Sequence, residues 1–259
     1  MKTIFSLHNK NIWVLGGAGY LGQSVVTLLH SLGAKVICID LAERAQEFVS
    51  SQSFDGQVRA ETLDVSDIDQ IDQNLDDLLA KYAVPDGLVN LTFGSTASKL
   101  EDLQYQDFDK ANQMNLTSTF AICRKVGAEM LKEGKGNLVL FSSMYGMGSP
   151  YPEVYDPTLI KNPIEYGVGK AGVIQMTKYL AVHYGKGGIR CNCISPGPFP
   201  NPGVQQSQPD FVNKLAEKSP MGRIGKAEEI AGAVAFLLTD ASSYINGHNL
   251  VVDGGWTSW

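Results

Sequence analysis

Short apolar runs alternate along the chain with segments of helical periodicity. The runs that predict strands are Asn11–Leu15, Lys35–Ile39, Gln57–Leu63, Gly87–Leu91, Gly136–Ser142, Gly188–Ile194 and Asn249–Val252. The segments that predict helices are Tyr20–Leu32, Ile68–Tyr82, Asp107–Glu133, Ile164–Tyr184 and Ala227–Leu238. Strands that are apolar without alternation are typical of a parallel sheet covered on both faces. We therefore predict an α/β fold, with a doubly wound parallel sheet of about seven strands and helices on both faces.

Composition narrows the class of protein without identifying it. The chain has 259 residues, 44% of them hydrophobic and 19% charged, which is ordinary for a globular protein. A net charge of −6 and the lack of a basic run argue against a nucleic-acid partner. No apolar stretch is long enough to span a membrane, and no secretion signal is visible. We find no linker, so the interpretation is one domain over residues 1–259.

The positions of the cysteines and histidines indicate the cellular compartment of the protein and whether it has a metal site. The four cysteines lie at 38, 123, 191 and 193, too few for a disulfide scaffold and without the spacing of a zinc or redox pair. The four histidines are scattered, with no metal-ligand spacing. We therefore expect free thiols, a cytoplasmic protein and no metal site.

A glycine-rich turn joins the first predicted strand to the first predicted helix. Gly16, Gly19 and Gly22 are three residues apart. Gly16 would permit the tight turn, Gly19 a close approach of backbone to phosphate, and Gly22 close packing of helix on strand. Free N–H groups at the helix start, near Tyr20 and Leu21, favour a bound pyrophosphate. This context predicts a dinucleotide site.

An acidic residue, Asp40, ends the second predicted strand. Its carboxylate can accept hydrogen bonds from both ribose hydroxyls of an adenosine and would repel a 2′-phosphate. The turn carries no lysine or arginine, so NAD is favoured over NADP, although Arg44 lies close enough in sequence to reach a phosphate. A second interpretation makes Asp40 the N-cap of a helix over Leu41–Val49, and the two roles are compatible.

A tyrosine and a lysine stand four residues apart in the predicted helix Ile164–Tyr184. Tyr166 and Lys170 therefore share one helix face. The spacing alone is a weak signal, but Ser142 and Ser143 end the fifth predicted strand at the sheet edge where ligands bind. A nearby ammonium and a cationic nicotinamide ring favour a phenolate, which makes a phenol usable in acid–base chemistry.

Taken together, these motifs resemble the short-chain dehydrogenase/reductase family over essentially the whole chain. The residues that carry the resemblance are Gly16–Gly22, Asp40, Asp64–Val65, Asn90, Asn115–Leu116, Ser142–Ser143, Gly146, Tyr166–Lys170, Pro196–Gly197 and Gly247–Trp256. The resemblance implies a Rossmann fold and an NAD-dependent oxidoreductase that transfers a hydride between nicotinamide and a secondary alcohol or ketone. It also implies pairing into a homodimer or homotetramer through the helices Asp107–Glu133 and Ile164–Tyr184.

The resemblance also implies a role for each site residue. Tyr166 would be the general acid/base, and Lys170 would lower its pKa and bind the nicotinamide ribose. Ser143 would polarise the substrate oxygen, and Asn115 would hold a water in a proton relay. The implied cofactor contacts beyond the glycine turn are Asp40, Asp64, Val65, Asn90, Tyr166, Lys170, Pro196 and Gly197, with Ile194 bordering the nicotinamide.

The chain departs from the family pattern in three places. Tyr20 stands at a usual glycine position, and this glycine spacing resembles the family's sugar-nucleotide branch. The usual Asn-Asn-Ala-Gly after the fourth strand is here Asn90-Leu91-Thr92-Phe93. Ser143 and Tyr166 are 23 residues apart, more than is usual in the family. The first departure keeps a nucleotide-sugar epimerase or dehydratase open as an alternative, and a non-catalytic NAD-binding protein is another.

Ten of the 11 prolines fall in two stretches, Pro150–Pro163 and Pro196–Pro220. The segment 147–163 is the insertion between the catalytic residues, and 197–220 has the position of the family's substrate lid, with Gly197 and Gly203 as candidate hinges and a helix over Phe211–Lys218. Both are rich in polar and aromatic side chains and poor in long aliphatic ones, which favours a sugar, sugar acid or polyol substrate and a role in carbohydrate metabolism. Alternatively, both are stiff surface connections.

Overall fold

The computed structural model describes residues 3–156 and 159–259, so two residues of the predicted insertion, 157 and 158, lie outside the described residues. Its strands are β1 (Asn11–Leu15), β2 (Lys35–Asp40), β3 (Val58–Thr62), β4 (Gly87–Asn90), β5 (Gly136–Phe141), β6 (Ile189–Pro196) and β7 (Asn249–Val252). They form one sheet in the order β3-β2-β1-β4-β5-β6-β7, and every neighbouring pair is parallel. The predicted seven-stranded parallel sheet is confirmed.

Helices cover both faces of this sheet, and two more belong to the predicted lid. They are α1 (Tyr20–Ser31), α2 (Ala42–Ser51), α3 (Ile71–Tyr82), α4 (Tyr105–Asn112), α5 (Ser118–Glu133), α6 (Ile164–Gly185), α7 (Pro202–Ser207), α8 (Pro209–Lys218) and α9 (Ala227–Leu238). The strand order reverses between β1 and β4, so a crevice opens where the carboxyl ends of these two strands diverge.

Alternate residues of each strand enter opposite cores. Val14 packs with α1 and α9 on one face of the sheet, whereas Trp13 and Leu15 pack with α3, α5 and α6 on the other. All three side chains are fully buried. Because both faces of the sheet are covered, its central strands are largely apolar, which is the pattern that identifies them in the sequence. The edge strand β3 is an exception, since most of its residues are polar and partly exposed.

The predicted helix Asp107–Glu133 differs from the observed one. It begins at Tyr105 and contains a π-helical turn over Gln113–Thr117, so it divides into α4 and α5. The turn is centred on Asn115, whose Nδ2 donates to the carbonyl of Ala111 (2.8 Å) and to that of Gly94 (2.7 Å). Such turns recur at functional sites, and this one holds a predicted catalytic residue.

Two helices shape the predicted lid. The expected helix Phe211–Lys218 begins two residues earlier, at Pro209, and α7 is an addition to the prediction. Asn201 caps α7 by accepting a hydrogen bond from the Val204 N–H at 3.0 Å, and Pro202 fits its first turn.

In the described part of the chain, no helix is long and apolar enough to cross a membrane.

Candidate active site

In the glycine-rich turn, the backbone of Gly22 lies close to the backbones of Gly16 and Gly17. Gly16 has φ = +75°, a conformation that favours glycine. A Cβ added at Gly22 would lie 2.1 Å from the carbonyl oxygen of Gly16 and 2.8 Å from Gly17 Cα. Helix α1 begins after Gly19 with no side chain capping it, so its first N–H groups face the crevice end of β1.

Asp40 lies at the end of β2, beside this turn. Its Oδ2 accepts a hydrogen bond from the Ala18 N–H (2.9 Å) and its Oδ1 one from the Leu41 N–H (2.8 Å). Arg44, about half exposed, lies 3.4 Å from Oδ1. Helix α2 begins at Ala42 with Leu41 as its N-cap residue and no side-chain cap, so the N-cap interpretation of Asp40 is wrong. The carboxylate instead fastens the glycine turn, and its remaining lone pairs are available to a ligand.

A cavity of about 270 Å³ lies between the turn, the end of β2 and the segment after β4. Of the predicted cofactor residues, Gly16, Gly19, Asp40, Asp64 and Val65 line it. The donor set suits a dinucleotide, because a glycine turn with free N–H groups is next to a carboxylate at the end of the second strand. Tyr20, Leu21 and Gly22 lie in the first turn of α1 and outside the lining of this cavity.

Ser143 and Tyr166 meet despite the insertion between them. The Ser143 hydroxyl lies near enough to the Tyr166 phenol to influence its pKa, and it accepts the N–H of Tyr145 at 3.1 Å. Ser143 lies just after β5, and Tyr166 lies in the first turn of α6. The neighbouring Ser142 donates to the Lys170 carbonyl at 2.8 Å, which fixes α6 against the end of β5.

Lys170 is buried beneath the tyrosine. Its Nζ donates to the carbonyl of Phe141 at 2.9 Å and lies 5.6 Å from the centroid of the Tyr166 ring. Burial lowers the pKa of Lys170 to about 8, because the ammonium loses its hydration. At pH 7 the cationic form still predominates.

The Tyr166 pKa differs from the expectation drawn from the resemblance. Burial raises the pKa of the phenol above its usual value, and the nearby Ser143 hydroxyl offsets part of this rise. Lys170 was expected to lower this pKa, but its ammonium faces the Phe141 carbonyl, and the desolvation of the phenolate outweighs it.

Asn115 and Asn90 both brace the segment that follows β4. The Asn115 side chain accepts the Gly94 N–H at 3.1 Å and donates to the Gly94 carbonyl, so it pairs with both backbone polar groups of one residue. Asn90 accepts hydrogen bonds from the N–H (3.1 Å) and the hydroxyl (2.7 Å) of Thr92. These contacts hold the segment that replaces the family's Asn-Asn-Ala-Gly.

Pro196 ends β6. Gly197, the next residue, packs against the backbone at the end of β7. A Cβ added at Gly197 would lie 2.5 Å from the Cα of Asp253, and its N–H donates to the Val252 carbonyl at 3.0 Å. Gly197 is therefore packed tightly, and close approach explains the glycine better than the hinge that we predicted.

The insertion and the lid pack against each other. Asp156 of the insertion forms an ion pair with Lys214 of α8, and the rings of Tyr155 and Phe211 lie 5.4 Å apart. A small core joins both segments to the C-terminal residues; its buried members are Met144, Tyr145, Val154, Leu215 and Trp256. The two proline-rich stretches thus pack together beside Ser143 and Tyr166.

A cavity of about 700 Å³ lies between the insertion, residues 98–101 and the start of α6. Tyr145 and Gly167, close in sequence to Ser143 and Tyr166, are part of its wall. Polar groups line it, but it is more aliphatic than the sequence of the two loops suggests, since its lining includes Leu100, Leu159, Ile160 and Ile164. Leu100 and Ile164 lie outside both loops, so a prediction based on the loop residues alone did not include them.

Phe93 is a site residue that the prediction missed. Its ring stands edge-to-face on the Tyr166 ring, with centroids 6.2 Å apart and planes at 88°. It lies 6.0 Å from Lys170 Nζ, lines the cofactor-side cavity and is 67% exposed. One sequence feature could have identified it, since phenylalanine stands here where the family pattern has a glycine.

Comparisons with known proteins agree with this geometry. A family model described as enoyl-(acyl carrier protein) reductase matches residues 17–257. A 7alpha-hydroxysteroid dehydrogenase of Bacteroides fragilis is 31% identical over 255 residues, covering 96% of this chain and 95% of that relative. A D-threitol dehydrogenase of Mycolicibacterium smegmatis is 31% identical over 259 residues, covering 98% and 95%.

A solved structure adds to these relatives. A short chain dehydrogenase from Leptospira borgpetersenii, determined with bound NAD+, is 30% identical, with a TM-score of 0.87 and coverage of 99% of this chain and 96% of that one. The chain therefore belongs to the short-chain dehydrogenase/reductase family. It is an oxidoreductase that acts on CH–OH groups.

Proposed function

We propose that this protein is an NAD-dependent dehydrogenase that interconverts a secondary alcohol and its ketone on a small polyhydroxylated substrate. The observation that carries the proposal is the placement of the Ser143 hydroxyl beside the Tyr166 phenol, with buried Lys170 Nζ 5.6 Å from the centroid of the Tyr166 ring. This arrangement unites a group that holds a carbonyl oxygen with a group that moves a proton.

The chain's own residues manage the oxygen and its proton. NAD, when bound, supplies the hydride acceptor. The Ser143 hydroxyl holds the substrate oxygen, and Tyr166 removes its proton in oxidation or returns it in reduction. The Lys170 ammonium, 5.6 Å from the centroid of the Tyr166 ring, would favour the phenolate when that forms and would bind the nicotinamide ribose. Asn115 fixes the π-helical turn next to this pair and would hold the water of the proton relay.

The cofactor residues divide by the part of NAD that each would hold. Gly16, Gly19, Tyr20, Leu21 and Gly22 supply the turn and the helix start for the pyrophosphate. Asp40 would bind the adenosine ribose. The residues that would lie along the adenine and the nicotinamide are Asp64, Val65, Asn90, Pro196 and Gly197.

The choice of NAD over NADP rests on Asp40. We expect Asp40→Asn to lower the ratio of kcat/KM for NAD to that for NADP by about tenfold or more, because a like-charge contact with the 2′-phosphate is lost. The amide can keep one backbone hydrogen bond, so the turn should survive. Steady-state kinetics with both cofactors measures the ratio. Adding Arg44→Ala should remove part of the gain for NADP, and an unchanged ratio in Asp40→Asn would contradict this assignment.

A sugar, sugar acid or polyol fits the polar part of the substrate-side cavity. Tyr145, Tyr155, Asp156 and Asn162 offer hydroxyl, carboxylate and amide groups to a polyhydroxylated molecule. A relative named for a polyol, the D-threitol dehydrogenase, supports this class, whereas the relative named for a hydroxysteroid matches the aliphatic part of the wall.

A substrate screen tests the proposed function. Sugars, sugar acids, polyols, hydroxysteroids and 3-oxoacyl thioesters are assayed with NAD(H) and NADP(H) side by side by nicotinamide absorbance. We expect turnover with a polyhydroxylated substrate and NAD. Activity confined to steroids or thioesters would contradict the substrate class, and calorimetric NAD binding without turnover would favour a non-catalytic role.

We also propose that copies of the chain pair through α5 and α6. Exposed apolar side chains on these helices are Phe120, Leu131, Val168, Tyr179 and Val182, the last 84% exposed. Val168, Tyr179 and Val182 follow helical spacing along one stripe of α6. Such a stripe is typical of an interface.

An exposed valine tests the interface. We expect Val182→Asp to shift a tetramer, measured by light scattering at micromolar concentration, to smaller species, because a charge would be buried on association. In a monomer the same change is neutral, since the side chain faces solvent. A wild-type monomer mass would contradict the proposed pairing.

A further inference from the structure

Glu165, the residue before Tyr166, is fully buried although it carries a carboxylate. Its Oε1 accepts two hydrogen bonds from one residue, the Thr96 N–H at 3.0 Å and the Thr96 hydroxyl at 2.7 Å. Among the described residues, no donor reaches the buried Oε2. A carboxylate buried with one unmatched oxygen costs stability, so fold stability does not explain this residue.

Thr96 belongs to the segment Thr92–Ser98, which begins two residues after β4. Asn115 pairs with the backbone N–H and carbonyl of Gly94 in this segment, and Glu165 accepts hydrogen bonds from Thr96, two residues further on. The segment is therefore attached both to the π-helical turn and to the first turn of α6. Both attachments reach into the predicted catalytic machinery, one through Asn115 and one through the neighbour of Tyr166.

Phe93 lies at the start of this segment and is its contact with the catalytic pair. The ring is two-thirds exposed, yet it stands edge-to-face on Tyr166. Displacing the segment would lift this ring from the tyrosine and let water reach the phenol.

We propose that Glu165 is a positioning residue, which fastens the segment Thr92–Ser98 to the catalytic helix so that the Phe93 ring stays against Tyr166 and covers it. This inference rests on the proposed function, because it assigns the fastening a role in turnover. The carboxylate suits the task, since one ionised oxygen accepts both Thr96 donors in charge-assisted hydrogen bonds.

Hydrogen–deuterium exchange tests the fastening without requiring activity. We expect Glu165→Ala to speed exchange in the peptide that contains residues 92–98, while Glu165→Gln, whose carbonyl can still accept both bonds, restores most of the protection. Glu228→Ala is the matched control, because Glu228 is an exposed glutamate in the first turn of α9. Unchanged exchange in Glu165→Ala would overturn the inference and leave the proposed function intact.

A double-mutant cycle tests the role in turnover. We expect Glu165→Ala to lower kcat about 10- to 100-fold, as misplacement near a reacting group does. If Glu165 acts through Phe93, then Phe93→Ala lowers kcat similarly, and the double variant is little worse than either single variant. Multiplying losses would overturn the coupling. An inactive wild-type chain would instead refute the proposed function, and exchange would still decide whether the fastening exists.

The pH profile adds a readout that a merely structural role would not move. Burial raises the pKa of Tyr166, so water admitted by either variant should shift the rising limb of kcat for oxidation to lower pH. The groups that face the phenol, Ser143, Tyr145 and Lys170, are unchanged in both variants. Loss of kcat with an unshifted limb would contradict the covering role of Phe93.

Discussion

Tyr166→Phe should reduce kcat by about 10²- to 10⁴-fold, the contribution typical of general acid–base catalysis. The change removes only the phenolic oxygen, so the packing of the ring against Phe93 and the burial of Lys170 should persist. We therefore expect calorimetric NAD affinity and melting temperature to stay near those of the wild-type protein, while nicotinamide absorbance reports almost no turnover.

A second tyrosine on the same helix provides the control for this variant. Tyr179 is exposed on α6 and stacks on His183, so Tyr179→Phe should retain wild-type kcat. Turnover in Tyr166→Phe close to that of Tyr179→Phe would show that another group moves the proton, and the proposed mechanism would be wrong.

Gly22→Ala should weaken NAD binding by about 10- to 100-fold. Overpacking typically destabilises a structure by about 1–3 kcal/mol, and here it would destabilise the turn that binds the pyrophosphate. The added methyl group would meet the Gly16 carbonyl oxygen at 2.1 Å and Gly17 Cα at 2.8 Å, and both are backbone atoms. It can be accommodated only if the glycine turn or the start of α1 moves. Calorimetric titration with NAD and a thermal melt measure both effects.

Gly232→Ala is the matched control for this substitution. Gly232 lies within α9, and a Cβ added there meets nothing within 4 Å. Alanine should therefore leave NAD binding unchanged and stabilise the protein by about 0.5–1 kcal/mol, because alanine has the better helix propensity. Equal NAD affinity in both variants would contradict the placement of the pyrophosphate at the glycine turn.

The sheet was predictable because its signal is local. Its central strands are short apolar runs, because burial on both faces leaves few polar positions in them. Strand ends were displaced by one or two residues, as in β6, which extends to Pro196 instead of stopping at Ile194. The π-helical turn was not predictable, because the hydrogen bond from Asn115 to Gly94 joins residues that only the fold brings together.

The residues of the candidate site also divide into those with a local sequence signal and those that only the fold brings into contact. Gly22 and Tyr166 stand out in the sequence because their spacing from neighbouring residues carries the signal. Glu165 does not, because a single glutamate at a helix start is usually a solvated first-turn residue. Its burial arises from a contact with Thr96, 69 residues away in sequence.

The insertion 147–163 is a segment that the sequence located but whose packing it did not predict. Its prolines marked it as a loop, but its pairing with the lid depends on Asp156 and Lys214, which are 58 residues apart. No periodicity relates these two residues. Likewise, the aliphatic wall of the substrate-side cavity combines residues from outside the insertion with those inside it, so an inventory of either loop could not describe it.

Hydride transfer itself is the central claim, and isotope labelling tests it most directly. A substrate found in the screen is prepared with deuterium on its carbinol carbon and incubated with NAD and the wild-type protein. We predict that NADH accumulates and carries the deuterium, as mass spectrometry of the reduced cofactor would show. Release of an epimerised or dehydrated product without accumulation of labelled NADH would contradict the account.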